Sequence, residues 1–233
     1  MKTITFKQFI LSAGFIVVSQ LVRAQENIDQ FYLQRDSFTT KIDTLRKLYG
    51  NHKIIPQELE TECLTALSFY PELKDTYIEF RFGKIKTTMA SRPKFSFFLT
   101  SKANRRYVIL IGPENNAATN LDRKELSFNA LVGWIGHELG HVVYYKYRSN
   151  YGILLTGIKY NFDGYKLKMK HFADMQAIQH SLGFALYEGD DYTINHSAAT
   201  KQYIDKQVKF YLSPRDVLMA SLQQGAVAKL HNR

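Results

Sequence analysis

Apolar positions along this chain recur at two periods, and the change of period marks the elements. Over 28–49 the residues Ile28, Phe31, Phe38, Ile42, Leu45 and Leu48 fall at helical spacing, and Gly50 stops the run. A second helix is predicted over 56–70, ending before Pro71. At 77–82 the period drops towards two, in an aromatic-rich stretch that predicts a strand. The segment 87–100, with Pro93 and the apolar run 95–99, reads as an edge strand or a loop entering one. Tyr107-Val108-Ile109-Leu110-Ile111 is the strongest strand signal, stopped by Gly112-Pro113. After a polar loop at 114–123 the helical period returns over 126–147, through Leu131, Trp134, Ile135, Leu139 and Val142. It returns again over 166–186, through Phe172, Met175, Ile178 and Leu182, and in two amphipathic helices at 197–211 and 214–224. Between them 144–165 is aromatic and broken at Asn150, Gly152, Gly157 and Gly164, which predicts a loop or short strands. Helices, then a small sheet, then helices, with no repeat and no linker, make one α+β domain.

One of these helices carries chemistry. Residues four apart share a helix face, so His137 and His141 can aim both imidazoles at one point. Two imidazoles so placed suit Zn²⁺, whose bound water has its pKa lowered towards ~7. Glu138, one step round the helix, is placed to take that water's proton. Gly133-Trp134-Ile135-Gly136 and Val142-Val143 surround them, and three polar groups in so apolar a helix are costly to bury without a partner.

His137-Glu138-Leu139-Gly140-His141 reads H-E-x-x-H, and here the chain resembles the zincin metallopeptidases. The resemblance implies a zincin-like α+β fold, a small antiparallel sheet packed on the zinc-binding helix with a helical C-terminal part. It implies a zinc-dependent metallopeptidase with Glu138 as catalytic base and a peptide or protein substrate. An edge strand beside the helix would take the extended substrate by strand addition, and 87–99 is the segment in position for it.

Catalytic zinc needs a third protein ligand. The stretch Lys170-His171-Phe172-Ala173-Asp174 resembles the second helix of gluzincins such as thermolysin, where a Glu precedes the Asp by four. Lys170 stands in the place of that Glu and cannot ligate while protonated. We expect Asp174 as the third ligand, as aspartate serves in aspzincins. The alternative is His171, held by Asp174 behind it, with His180 and His196 next in line. A donor to the oxyanion is expected among Tyr144, Tyr145, Tyr160, Tyr187, His180 and His196. Two rival functions follow: a catalytically inactive zincin-like binding protein, which Lys170 favours, and a zinc amidase acting on cell-wall material, which positive charge favours.

Composition adds the setting. Lys2 and Lys7, an apolar core at 9–18 and Val22-Arg23-Ala24 read as a signal peptide over 1–24, so a secreted or periplasmic domain is expected over 25–233. The apolar core is about half the ~20 residues that cross a bilayer, so no transmembrane segment is expected after cleavage. The mature chain carries 28 basic against 21 acidic residues, an excess of +7. They are scattered enough that nucleic acid is not indicated. Cys63 is alone, which rules out an internal disulfide and reads as a core filler. Gly189-Asp190-Asp191 reads as a turn and lacks the spaced oxygens of a calcium loop.

Overall fold

The computed structural model describes residues 31–231, with side chains up to 225. The expected signal peptide and the first residues of the expected 28–49 helix lie outside them. Gln34–Arg233 form one compact unit, and Phe31, Tyr32 and Leu33 belong to the unit before it. The chain is mixed α and β, with a small sheet among many helices. The expected first helix is two, α1 (Arg35–Thr39) and α2 (Ile42–Tyr49). The second is a 3₁₀ turn leading into α3 (Glu60–Ser68), where Cys63 is fully buried in the core.

Four strands make the main sheet: β1 (Lys53–Ile54), β2 (Tyr77–Phe82), β3 (Met89–Pro93) and β4 (Arg106–Ile111), in the order β1-β2-β4-β3. The expected antiparallel sheet is a mixed one. β1 and β2 are parallel, β2 and β4 are parallel, and only β3 runs antiparallel to β4. The cause is the connection at 83–105, long enough to serve as a parallel crossover, which carries β3 past β4 to the far edge. Pro93 fits that edge because a proline has no N–H to offer a further strand. β4 is central, and its Tyr107, Val108 and Ile109 are buried on both faces. A short hairpin of β5 (Asn115–Asn116) and β6 (Leu121–Asp122) follows.

Helix α4 (Phe128–Tyr147) runs through the middle of the unit, and every residue from Ala130 to Val143 is buried. Ser127 caps it, its Oγ accepting the Ala130 N–H at 3.0 Å. The segment expected as loop or short strands is helical: α5 (Asn150–Lys159), capped by Ser149 Oγ on the Gly152 N–H. The expected 166–186 helix is α6 (Asp163–Ala177), a π turn at Ile178–Leu182, and α7 (Gly183–Asp191). At the break the Gln176 carbonyl meets the His180 ring Nδ1 at 2.7 Å, and Ser181 turns left-handed at φ 61°. Asp190, expected in a turn, lies inside α7. Helices α8 (Lys201–Phe210) and α9 (Pro214–His231) close the chain.

Around α4 pack α3, α6, α7 and β3. The α4–α6 approach is close because Gly140 has no side chain. A Cβ there would meet Gln176 Cβ at 2.9 Å and the Ala173 carbonyl at 3.0 Å. That crossing brings the second half of α6, from Lys170 to Asp174, over the polar stretch of α4.

Candidate metal centre

His137, Glu138 and His141 converge as their spacing predicts. Their ligand atoms all lie within 4.8 Å of one another, and all three side chains are buried. The two imidazoles stand nearly perpendicular, at 87°. His141 Nδ1 and Glu138 Oε2 are buried with no hydrogen-bond partner. Burial holds the His141 imidazole well below its ordinary value, and Lys170 and His137 push it further the same way. It is therefore neutral near pH 7, with one ring nitrogen carrying a free lone pair. Among the described residues this is the group that could hold a metal ion.

The expected third ligand stands elsewhere. Asp174 is fully buried, and both of its oxygens are engaged. Oδ1 lies 2.6 Å from His137 Nδ1, and Oδ2 accepts the Leu212 N–H at 3.0 Å. It meets His137 at Nδ1, the ring nitrogen opposite the one that faces Lys170, in the position of a supporting carboxylate. His171, the alternative, is not in the converging group. His180 is bound to Glu72 Oε1 at 2.9 Å and stacks on Tyr70, and His196 pairs with Asp191 on the surface.

The residue that does reach the centre is Lys170. It lies one helical turn before Asp174, is buried, and places Nζ 3.4 Å from His137 Nε2. Burial pulls its ammonium down, but Tyr211, Glu138 and Tyr160 together outweigh this and hold it well above the ordinary lysine range. Nε2 thus accepts from Lys170, and the tautomer assigned from this network carries its proton on Nδ1, towards Asp174. Tyr211 covers the pair, with its ring centroid 4.8 Å from Lys170 Nζ and 5.4 Å from that of His137. Nothing in the local pattern singles it out, since it follows α8, far along the chain.

A cavity of about 290 Å³ opens over Glu138 and His141. Ala90 and Ser91 of β3 form one wall, and Tyr145, Thr156, Tyr160 and Lys170 line the rest. Of the expected oxyanion donors, Tyr145 and Tyr160 are therefore at the site. Tyr144 is turned to the Tyr165 hydroxyl at 2.9 Å, and Tyr187 lines a separate hollow of about 490 Å³. Burial raises the Tyr145 phenol, so it stays protonated and able to donate.

The register of β3 fixes what its free edge offers. The Gly112 N–H donates to Thr88 and the Lys94 N–H to Arg106, so the even-numbered residues 88 to 94 face β4. The N–H and C=O of Ser91 then point outward, beside the cavity.

Comparison of the chain with protein-family models, curated proteins and solved structures gave no match. Two imidazoles and a carboxylate are compatible with a metal ion. A metal held there through His137 Nε2 would meet the Lys170 ammonium, which stands 3.4 Å from that nitrogen.

Proposed function

We propose that this chain is a zincin-like binding protein that takes an extended peptide into the cleft between β3 and α4 without hydrolysing it. The observation that carries the reading is the Lys170 ammonium, 3.4 Å from His137 Nε2. It supplies a fixed positive charge where a hydrolytic site needs a ligand, and it occupies the lone pair through which His137 would bind zinc. The outward N–H and C=O of Ser91 support the peptide part, since an incoming strand pairs through such groups. A setting outside the cytoplasm, expected from 1–24, is part of the proposal.

Metal analysis of protein purified without added metal, together with cleavage and binding assays on an unfolded protein, tests this. The reading expects binding without cleavage and far less than one zinc per chain.

A second reading, the zinc metallopeptidase, is favoured by the unpartnered His141 Nδ1 and Glu138 Oε2. In it Glu138 takes the proton from the attacking water and passes it to the leaving amine. Near-stoichiometric zinc with cleavage that Glu138→Gln abolishes would replace the first reading with this one. The same zinc with digestion of peptidoglycan alone would make the chain an amidase.

A further inference from the structure

Among the large apolar side chains left in solvent, the most exposed stand on the Phe95–Leu99 turn and on the outer side of α5, while Leu48, Ile54, Val208 and Met219 lie elsewhere. The 3₁₀ turn Phe95–Leu99 buries Phe97 as its anchor and holds Phe95 86% and Leu99 93% exposed. Helix α5 is built the same way round. Tyr151, Leu154 and Ile158, three and four residues apart, form an outward stripe, while Ile153 and Thr156 point in. Turn and helix are joined by polar bonds. Lys102 Nζ donates to the Tyr147 carbonyl at 3.1 Å. Arg105 donates to the carbonyls of Tyr145 and Arg148 and to Asn150 Oδ1. Asn150 Nδ2 in turn reaches the Thr100 carbonyl at 3.4 Å. Tyr147, itself exposed, sits at the joint.

The stretches of chain that carry this face are basic in sequence. The segments 83–113 and 139–162 contain ten Lys and Arg and no Asp or Glu. Of these, Arg105 is buried and Lys94 pairs with Glu79, while Lys102, Arg148 and Lys159 are exposed beside the apolar groups. A contiguous apolar patch of this kind marks a contact surface. Protein interfaces deplete lysine at their core, whereas aromatic side chains interleaved with Lys and Arg suit the interfacial zone of a bilayer. No helix among the described residues is long and apolar enough to cross one, so the contact would be peripheral.

We propose that the face formed by the Phe95–Leu99 turn and the outer side of α5 docks on a bilayer surface rich in anionic lipid. Phe95, Leu99, Tyr147, Tyr151 and Leu154 enter the head-group region, and the basic residues around them lie against lipid phosphates. This inference is independent of what the cleft binds.

The test uses the full chain with Leu99→Cys, labelled with an environment-sensitive nitrobenzoxadiazole. Cys63 is fully buried, so the introduced thiol is the one that takes the label. Vesicles of equimolar phosphatidylcholine and phosphatidylglycerol should brighten and blue-shift the emission, and molar salt should reverse this. Phosphatidylcholine vesicles alone should leave it unchanged. Adding Phe95→Ser should weaken the response, and Lys102→Gln should lower partition about fivefold, the factor for about 1 kcal/mol per basic residue at such a surface. No response to anionic vesicles overturns the proposal, as does an equal response to the uncharged ones. A shift that grows with protein concentration alone overturns it too, and assigns the face to a second copy of the chain.

Discussion

Lys170 Nζ approaches His137 at Nε2, the ring nitrogen opposite the one turned to Asp174. A metal ion bound by His137 in this tautomer would use that same lone pair, so Lys170 and the metal exclude one another. Lys170→Glu should therefore do two things: release the lone pair and bring a carboxylate to the third position, making a two-His, one-Glu set. The variant should hold zinc against a chelator that strips the parent, with a gain larger than the roughly 10–100-fold that an outer hydrogen-bond partner gives. Lys170→Met, which frees the lone pair but adds no ligand, should fall between them. Chelator competition on the three proteins measures this. A parent that binds zinc as tightly as the Glu variant would sink the exclusion.

Ser91 offers a test of the cleft that leaves the fold in place. Its N–H faces away from β4, as does the nitrogen of Pro93 two residues on, so a proline at 91 costs the sheet no ladder bond. Ser91→Pro should fold like the parent and bind an unfolded peptide about 2–10-fold more weakly, the worth of one backbone hydrogen bond. Fluorescence anisotropy of a labelled peptide reads this. Unchanged affinity would move the peptide off the β3 edge.

The centre was legible in part, for reasons that differ from residue to residue. Helical spacing alone brings His137 and His141 together, because i and i+4 share a face whatever the tertiary packing. Lys170 and Asp174 of α6 stand in the same i, i+4 relation, but spacing does not say which ring nitrogen of His137 each meets. That depends on how α6 crosses α4, and a one-turn difference exchanged ligand for support. Tyr211 arrives from beyond α8, and no local pattern announces it. The parallel pairing of β2 with β4 was invisible for a similar reason, since alternation reports faces and not strand order. The breaks at Asn150, Gly152, Gly157 and Gly164 predict a loop or short strands where helix α5 forms, and its apolar stripe at Tyr151, Leu154 and Ile158 points outward. Glycines at 152 and 157 then outweighed a periodicity that was present all along.

Gly140 sets the spacing on which the Lys170–His137 contact depends. Alanine is the better helix former by roughly 1 kcal/mol, so propensity alone predicts that Gly140→Ala stabilises. Its methyl would stand 3.0 Å from the Ala173 carbonyl, a backbone atom of α6 that moves only with the helix. Overpacking, at about 1–3 kcal/mol, should win and leave a net loss of up to about 2 kcal/mol in urea unfolding. A variant more stable than the parent would show that the α4–α6 crossing has slack.

Asp190 gives the fold a pH dependence of definite sign. It is buried in α7, with Oδ1 accepting the Trp134 indole N–H at 3.2 Å and Oδ2 unpartnered. Burial, and then the charge of Asp174, push its carboxyl well above the ordinary value. The folded chain thus holds a proton that the unfolded chain releases at about pH 4. Stability from this group is complete below that pH and is lost as pH rises through the folded value, at up to about 1.4 kcal/mol per unit. Asp190→Asn can still accept from Trp134 and has no proton to lose. Urea unfolding of parent and variant from pH 5 to pH 8 should show the parent losing ground steadily as pH rises. A difference that stays constant over this range, or changes in the parent's favour, would mean that the folded protein carries Asp190 ionised.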